Sequence, residues 1–154
     1  MEKFAIHIDS DSYIEENGKV DDFGKIYIQL NDYDFPDKNW TDFGRTIVGW
    51  WMQAFRKLLN KEETKVECDF MDGSYRFNVT ALDSKIWKFE FIKEKADGEE
   101  IWQEGEVDAD QATEVLLETV DKIVQLYEKE GNTKAVSNYT EYKKKFIFDW
   151  KNFK

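Results

Sequence analysis

Hydrophobic and polar positions along this chain follow two rhythms, one of period two and one of helical period. Phe4, Ile6 and Ile8 alternate with Lys3, Ala5, His7 and Asp9, the pattern of a strand with one buried face. Ile26, Ile28 and Leu30 alternate with Tyr27 and Gln29 as a second main strand. Between them Asn17-Gly18 suits a tight turn, so 13–16 and 19–22 are expected to form a short hairpin. Four more alternating runs follow: Val66-x-Cys68-x-Phe70, Tyr75-x-Phe77-x-Val79-x-Ala81, Trp87-x-Phe89-x-Phe91 and 101–107. Asp72-Gly73 and Asp97-Gly98 separate them in pairs, which predicts an antiparallel meander.

The helical rhythm is clearest after the only proline, in 35–59. Projected at about 100° per residue, Phe43, Ile47, Val48, Trp50, Trp51, Ala54, Phe55, Leu58 and Leu59 share one half of the circumference. Arg45, Thr46, Gly49, Gln53, Arg56, Lys57 and Asn60 share the other. Thr41 or Asp42 is the expected N-cap, and Gly44, inside the apolar arc, is expected to admit a close backbone approach. A second helix is predicted from an Asp108 cap with Gln111 at the capping-box position, ending at Gly131-Asn132. Its inward residues are Ala112, Val115, Leu116, Thr119, Val120, Ile123, Leu126 and Tyr127. A third helix is expected over 137–151, with Tyr139, Tyr142, Phe146 and Trp150 on one stripe; Phe146-Ile147-Phe148 is compatible with a terminal strand instead. The whole predicts one α+β domain over 1–154. Its antiparallel sheet of about six strands has a long helix inserted after the second main strand. Two C-terminal helices follow, and the helices pack mainly on one face.

Charge changes the picture of what such a domain meets. The net charge of −11 argues against a nucleic-acid backbone or an anionic membrane as partner. The charge is uneven, because 134–154 carries six lysines against two acids. Tyr142, Phe146, Trp150 and Phe153 interleave that basic segment, which favours docking on the chain's own acidic body over binding nucleic acid. Cys68 stands alone and alternates with Val66 and Phe70, as a buried thiol does in a reducing cytosol. The apolar run within 1–10 is too short for a signal peptide, and no stretch suits a membrane span.

Catalytic signatures are scarce. His7 is the only histidine, which excludes a multi-histidine metal site, and its pairing with a buried Cys68 as nucleophile and base is disfavoured. Counted from Asp9, the positions that an EF-hand gives to Gly and Glu hold Ile14 and Val20, so no calcium loop is expected. No phosphate-cradling glycine motif occurs, no carboxylate spacing marks a catalytic pair, and no cofactor or metal is implied.

What remains is carboxylates beside tryptophan, a rigid anchor with charges that attract lysine or arginine. The candidate partner-binding residues are Asp11, Glu15, Glu16, Asp21 and Asp22 in the N-terminal loops, and Asp34, Asp37 and Trp40 before the first helix. Trp102, Glu104 and Glu106 join them, alternation placing all three on the polar face of their strand. The competing reading has the C-terminal helix cover Trp102, its lysines meeting those glutamates.

Phe35-Pro36…Trp40-x-Asp42-Phe43 followed by Trp50-Trp51 resembles small bacterial proteins of the polymorphic-toxin immunity type, over residues 35–59. The resemblance implies an acidic cytoplasmic inhibitor that occupies the active surface of a secreted toxin, often a basic nuclease; it assigns no inhibitory residue. A non-catalytic, acidic protein-binding module with a basic protein as partner is therefore the leading expectation. A small-ligand or scaffold domain with an aromatic pocket ranks second, and a carboxylate-based enzyme third.

Overall fold

The structure, a computed structural model, describes residues 1–153. Helices and strands are mixed as expected, and the class is α+β. The strands, however, form two antiparallel sheets of four in place of one sheet of about six. The first contains β1 (Phe4–Ile8), β2 (Gly24–Leu30), β3 (Tyr33–Phe35) and β4 (Thr41–Asp42), with β1, β3 and β4 all pairing with β2. The second is the predicted meander, β5 (Lys65–Asp69), β6 (Tyr75–Ala81), β7 (Ile86–Lys95) and β8 (Gly98–Asp108), in chain order. The two sheets meet in a single parallel bridge, Glu2 to Val107, with the Glu2 N–H donating to the Glu106 carbonyl at 2.9 Å. Alternation reports that a strand buries one face but not which strand lies beside it, so the division into two sheets is invisible to it.

Between the sheets and the helix α1 (Gly44–Leu59) lies a core of rings. From α1, Trp51 meets Phe70 and Phe77 edge-on, and Phe55 meets Trp87 in the same way. From the first sheet, Phe4 packs on Phe77 and Phe89, and Phe35 stacks on Phe91. Edge-to-face pairs of this kind are each worth about 0.5–1.5 kcal/mol beyond the area they bury. The inner face of the β5–β8 sheet is thus covered partly by a helix and partly by the other sheet.

The start of α1 differs from expectation. Thr41 and Asp42 form β4, and the helix begins at Gly44 with no side-chain cap on its first turn. Asp42 is buried and accepts from the Phe43 N–H at 2.7 Å, the Trp40 indole at 3.1 Å and the Met71 N–H at 3.2 Å. Three local donors outcompete the helix terminus for it. The close approach expected at Gly44 is present: a Cβ there would stand 2.0 Å from the hydroxyl of buried Tyr13.

Two C-terminal helices, α2 (Ala109–Glu130) and α3 (Thr133–Lys151), complete the fold. Asp108 caps α2 by accepting from the Gln111 N–H at 3.0 Å, and Gly131 ends it in the left-handed region at φ 77°. The reciprocal arm of a capping box is not made. The Gln111 amide instead clamps the backbone of β1, accepting from the Phe4 N–H at 3.0 Å and donating to its carbonyl at 2.7 Å. The segment left open between helix and strand is helix throughout; Phe146 is its buried residue, and Arg56 holds it through Asp149 at 2.8 Å. Its Lys143 pairs with Asp121 of α2, and the Trp150 indole donates to Asp110 at 2.7 Å. The basic segment does dock on acids of its own chain, but those acids lie on α2 and not beside Trp102.

Candidate protein-binding face

Because successive side chains on a strand point to opposite faces, burying one face of the β5–β8 meander turns every other residue outward. The register then decides which outward residues become neighbours. One row across the four strands reads Glu67, Asn78, Glu90, Glu104. The rows beside it read Lys65, Thr80, Lys88, Glu106 and Asp69, Arg76, Ile92, Ile101, and Glu94 opposite Glu99 lies beyond. Lys65, Glu67 and Asp69 on one margin and Glu104 and Glu106 on the other are exposed, so this face is open to solvent.

Acids outnumber bases on it by seven to three. Arg76 is claimed by three of them: Glu94 at 2.9 Å, Glu99, and Glu67 at 3.9 Å. Burial works against its charge, but the hydrogen bond it donates to Glu94 and the charges of Glu99 and Glu67 outweigh it and hold the guanidinium pKa above its usual value. Lys88 reaches Glu104 at 3.7 Å. Among the described residues no cation pairs with Glu90, Glu106 or Asp69. Within the central row Asn78 is only 3% exposed, and its Oδ1 has no hydrogen-bond partner. A buried carbonyl without a donor costs about 1–3 kcal/mol. Carboxylates without a cation suit a ligand that brings positive charge.

At the β5 margin the face turns into a groove of about 730 Å³ between α1 and the strand, walled by Trp50, Gln53 and Lys57 on the helix side. The helical projection put Trp50 with the buried half and Arg45 with the exposed half. The structure buries Arg45, which is 3% exposed, and splits the Trp50-Trp51 pair, with Trp51 in the core and Trp50 44% exposed at the boundary. Arg45 is held by residues remote in sequence: Asp22 at 2.8 Å, Glu130 at 3.0 Å, and the Tyr127 ring, whose centre lies 4.5 Å from the guanidinium carbon. Phe43, also assigned to the buried half, is 41% exposed and packs edge-on against Phe23.

The sequence-predicted contact residues are not brought together. Glu104 and Glu106 lie on the open face as expected. Trp102 does not. The ladder slips by one residue between Phe91 and Ile92, so Trp102 has no partner of its own and turns inward onto Phe35 and Tyr75. One bulged residue reverses the alternation that assigned it. Trp40 is half-buried against Tyr75, with its indole spent on Asp42. Asp34 accepts from Gln29 at 2.7 Å, and Asp22 is spent on Arg45; Asp37 remains exposed in its loop.

Asp11, Glu15, Glu16 and Asp21 occupy the β1–β2 connection, whose turn Ser10–Tyr13 packs on β2 and α2. The predicted hairpin there shrinks to one bridge, Ile14 to Val20, where a hydrogen bond between Glu15 and Asp21 raises the Glu15 pKa. Glu67, Asn78 and Glu90, which the sequence reading passed over, were signalled by the polar positions of the same alternation that identified the strands.

His7 and Cys68 are unrelated in space. His7 stacks on Tyr27 and pairs with Gln29 at 3.0 Å, while Cys68 is buried and its thiol pKa is pushed up by burial. Among the described residues no group of three or more His, Cys, Asp or Glu is placed to hold a metal ion, and no described helix is long and apolar enough to cross a membrane. Comparison with family models, curated proteins and solved structures yields no match.

Proposed function

We propose that this chain is a non-catalytic, cytoplasmic protein-binding module that presents the open face of its β5–β8 sheet to a basic protein, in the manner of an immunity protein neutralising a toxin. One observation carries the reading. The row Glu67–Asn78–Glu90–Glu104 is exposed at both ends and carries three carboxylates and no cation. A lysine or arginine side chain laid on this row pairs with its carboxylates. The net charge of −11 repels nucleic acid and anionic lipid and steers a cationic partner toward the chain, so association is fast at low salt and slows as salt rises.

The test is affinity capture from the source cells with the wild-type chain and with a Glu90→Lys/Glu104→Lys variant. The wild type is expected to recover a basic protein that the variant recovers at least about tenfold less well, the scale of a lost close charge pair. Equal recovery by both removes the acidic face from the account.

A further inference from the structure

We infer that the partner adds an extended basic segment to the outer edge of β5, in the groove beside Trp50. The inference rests on the acidic-face reading above and gives that face a mode of attachment.

The pairing of β5 with β6 fixes which backbone groups of β5 face outward. The Phe70 N–H donates to the Tyr75 carbonyl and the Ala81 N–H to the Thr64 carbonyl. In an antiparallel ladder such residues alternate with ones whose N–H and C=O point the other way. Thr64, Val66, Cys68 and Phe70 therefore address β6, and Lys65, Glu67 and Asp69 address the groove. Asp69 confirms the direction, because its carbonyl accepts from the Trp51 indole of α1 at 2.8 Å. Lys65 and Glu67 have no such cap among the described residues.

Two other margins are capped in part. Gln111 clamps the backbone of β1 at Phe4, and Glu2 bridges β8 at Val107. An unpaired edge is a liability that folds normally cover, so one left open beside an exposed tryptophan suits a partner strand.

Charge selects the occupant. A strand added here sets one side chain beside Glu67 on the open face, in the row that leads to Asn78, Glu90 and Glu104. A lysine or arginine at that position is matched, and the next residue but one falls beside Lys65 or Asp69. A second copy is poorly matched: pairing two β5 strands about Glu67 opposes that glutamate to its twin, and each copy brings a net charge of −11.

The probe is an acetylated, amidated octapeptide of alternating lysine and valine, titrated into isotope-labelled full chain at low salt and followed by amide NMR. Binding is expected to shift Lys65 and Glu67 and to slow their hydrogen exchange. Glu67→Pro removes the outward N–H without touching the ladder to β6, and is expected to weaken binding at least about tenfold; Glu67→Thr, which keeps the N–H, loses no more than about threefold. Should the proline variant fail to fold, the same peptide N-methylated at alternate residues makes the test from the ligand side, again with a loss of at least about tenfold. Shifts confined to Glu90, Glu104 and Glu106, with Glu67→Pro binding as tightly as wild type, overturn strand addition and leave the acidic face standing. Absence of peptide binding overturns strand addition too, and the Glu90→Lys/Glu104→Lys capture then judges the face separately. A dimer in sedimentation that Glu67→Pro abolishes assigns the edge to a second copy and overturns the basic occupant.

Discussion

Arg45 and Glu130, 85 positions apart, are joined by two parallel hydrogen bonds of 3.0 and 3.1 Å that tie the first turn of α1 to the last turn of α2. The Tyr139 hydroxyl of α3 donates to the Arg45 carbonyl at 2.7 Å, so all three helices converge on this residue. Burial opposes the guanidinium's charge, but the Glu130 hydrogen bonds and the Asp22 charge outweigh it and hold its pKa above the usual value. Removing Glu130 leaves a buried cation short of a partner. Glu130→Gln is expected to cost about 1.5–3 kcal/mol in urea denaturation, the scale of a charged hydrogen bond. Asp22→Asn, whose carboxylate is 61% exposed, costs about 1 kcal/mol or less.

The same pair sets a pH dependence. The hydrogen bonds from Arg45 hold the Glu130 carboxyl below its ordinary value. A pKa lowered in the folded state gives stability that is complete above the unfolded value, about 4.3, and is lost as pH falls through the folded one. Acid titration of denaturation midpoints is expected to show a smaller loss for Glu130→Gln than for wild type in that window.

Tyr13 occupies a slot that two glycines leave open, for a Cβ at Gly24 would also come within 2.5 Å of its ring. Gly44→Ala is expected to destabilise by about 1–3 kcal/mol through overpacking. Adding Tyr13→Phe removes the hydroxyl in nearest contact and recovers part of that loss, which a double-mutant cycle measures.

Gln111 protects an edge as well as stabilising it. Gln111→Leu leaves the Phe4 N–H and C=O without their clamp, and about 1–3 kcal/mol is expected to be lost. The freed edge of β1 should also raise the rate of aggregation, read by light scattering at matched fractions folded.

Trp102 and Glu104 separate stability from binding. Trp102→Ala is expected to cost about 2 kcal/mol and to leave affinity for the captured partner unchanged, since the ring lies on the inner face. Glu104→Lys is expected to leave the midpoint within about 0.5 kcal/mol and to weaken the complex.

These residues also mark how far the chain could be read without its structure. Local rules held where the deciding partners are close in sequence. The two Asp-Gly turns, the alternation of 66–91, the Asp108 cap and the Gly131 stop were all legible. They failed where a distant residue decides. Arg45 sits on the polar side of its own helix, and only Asp22, Glu130 and Tyr127 make it buried. Trp102 is itself the unpaired residue of β8, and that bulge turns it off the face that alternation assigned it. The proposed face was half legible, since Glu104 and Glu106 lay on a recognised strand. Its central row exists only once the register sets Glu67, Asn78, Glu90 and Glu104 side by side.

Amide hydrogen–deuterium exchange on the complex with the captured basic partner tests the acidic face most directly. Slowed exchange is expected within the β5–β8 sheet, with Glu90→Lys/Glu104→Lys reversing it; slowing at Lys65 and Glu67 in addition marks strand addition at β5. Protection confined to the β1–β2 loop acids or to the lysines of α3, with the β5–β8 sheet exchanging as in the free chain, would contradict the acidic-face reading.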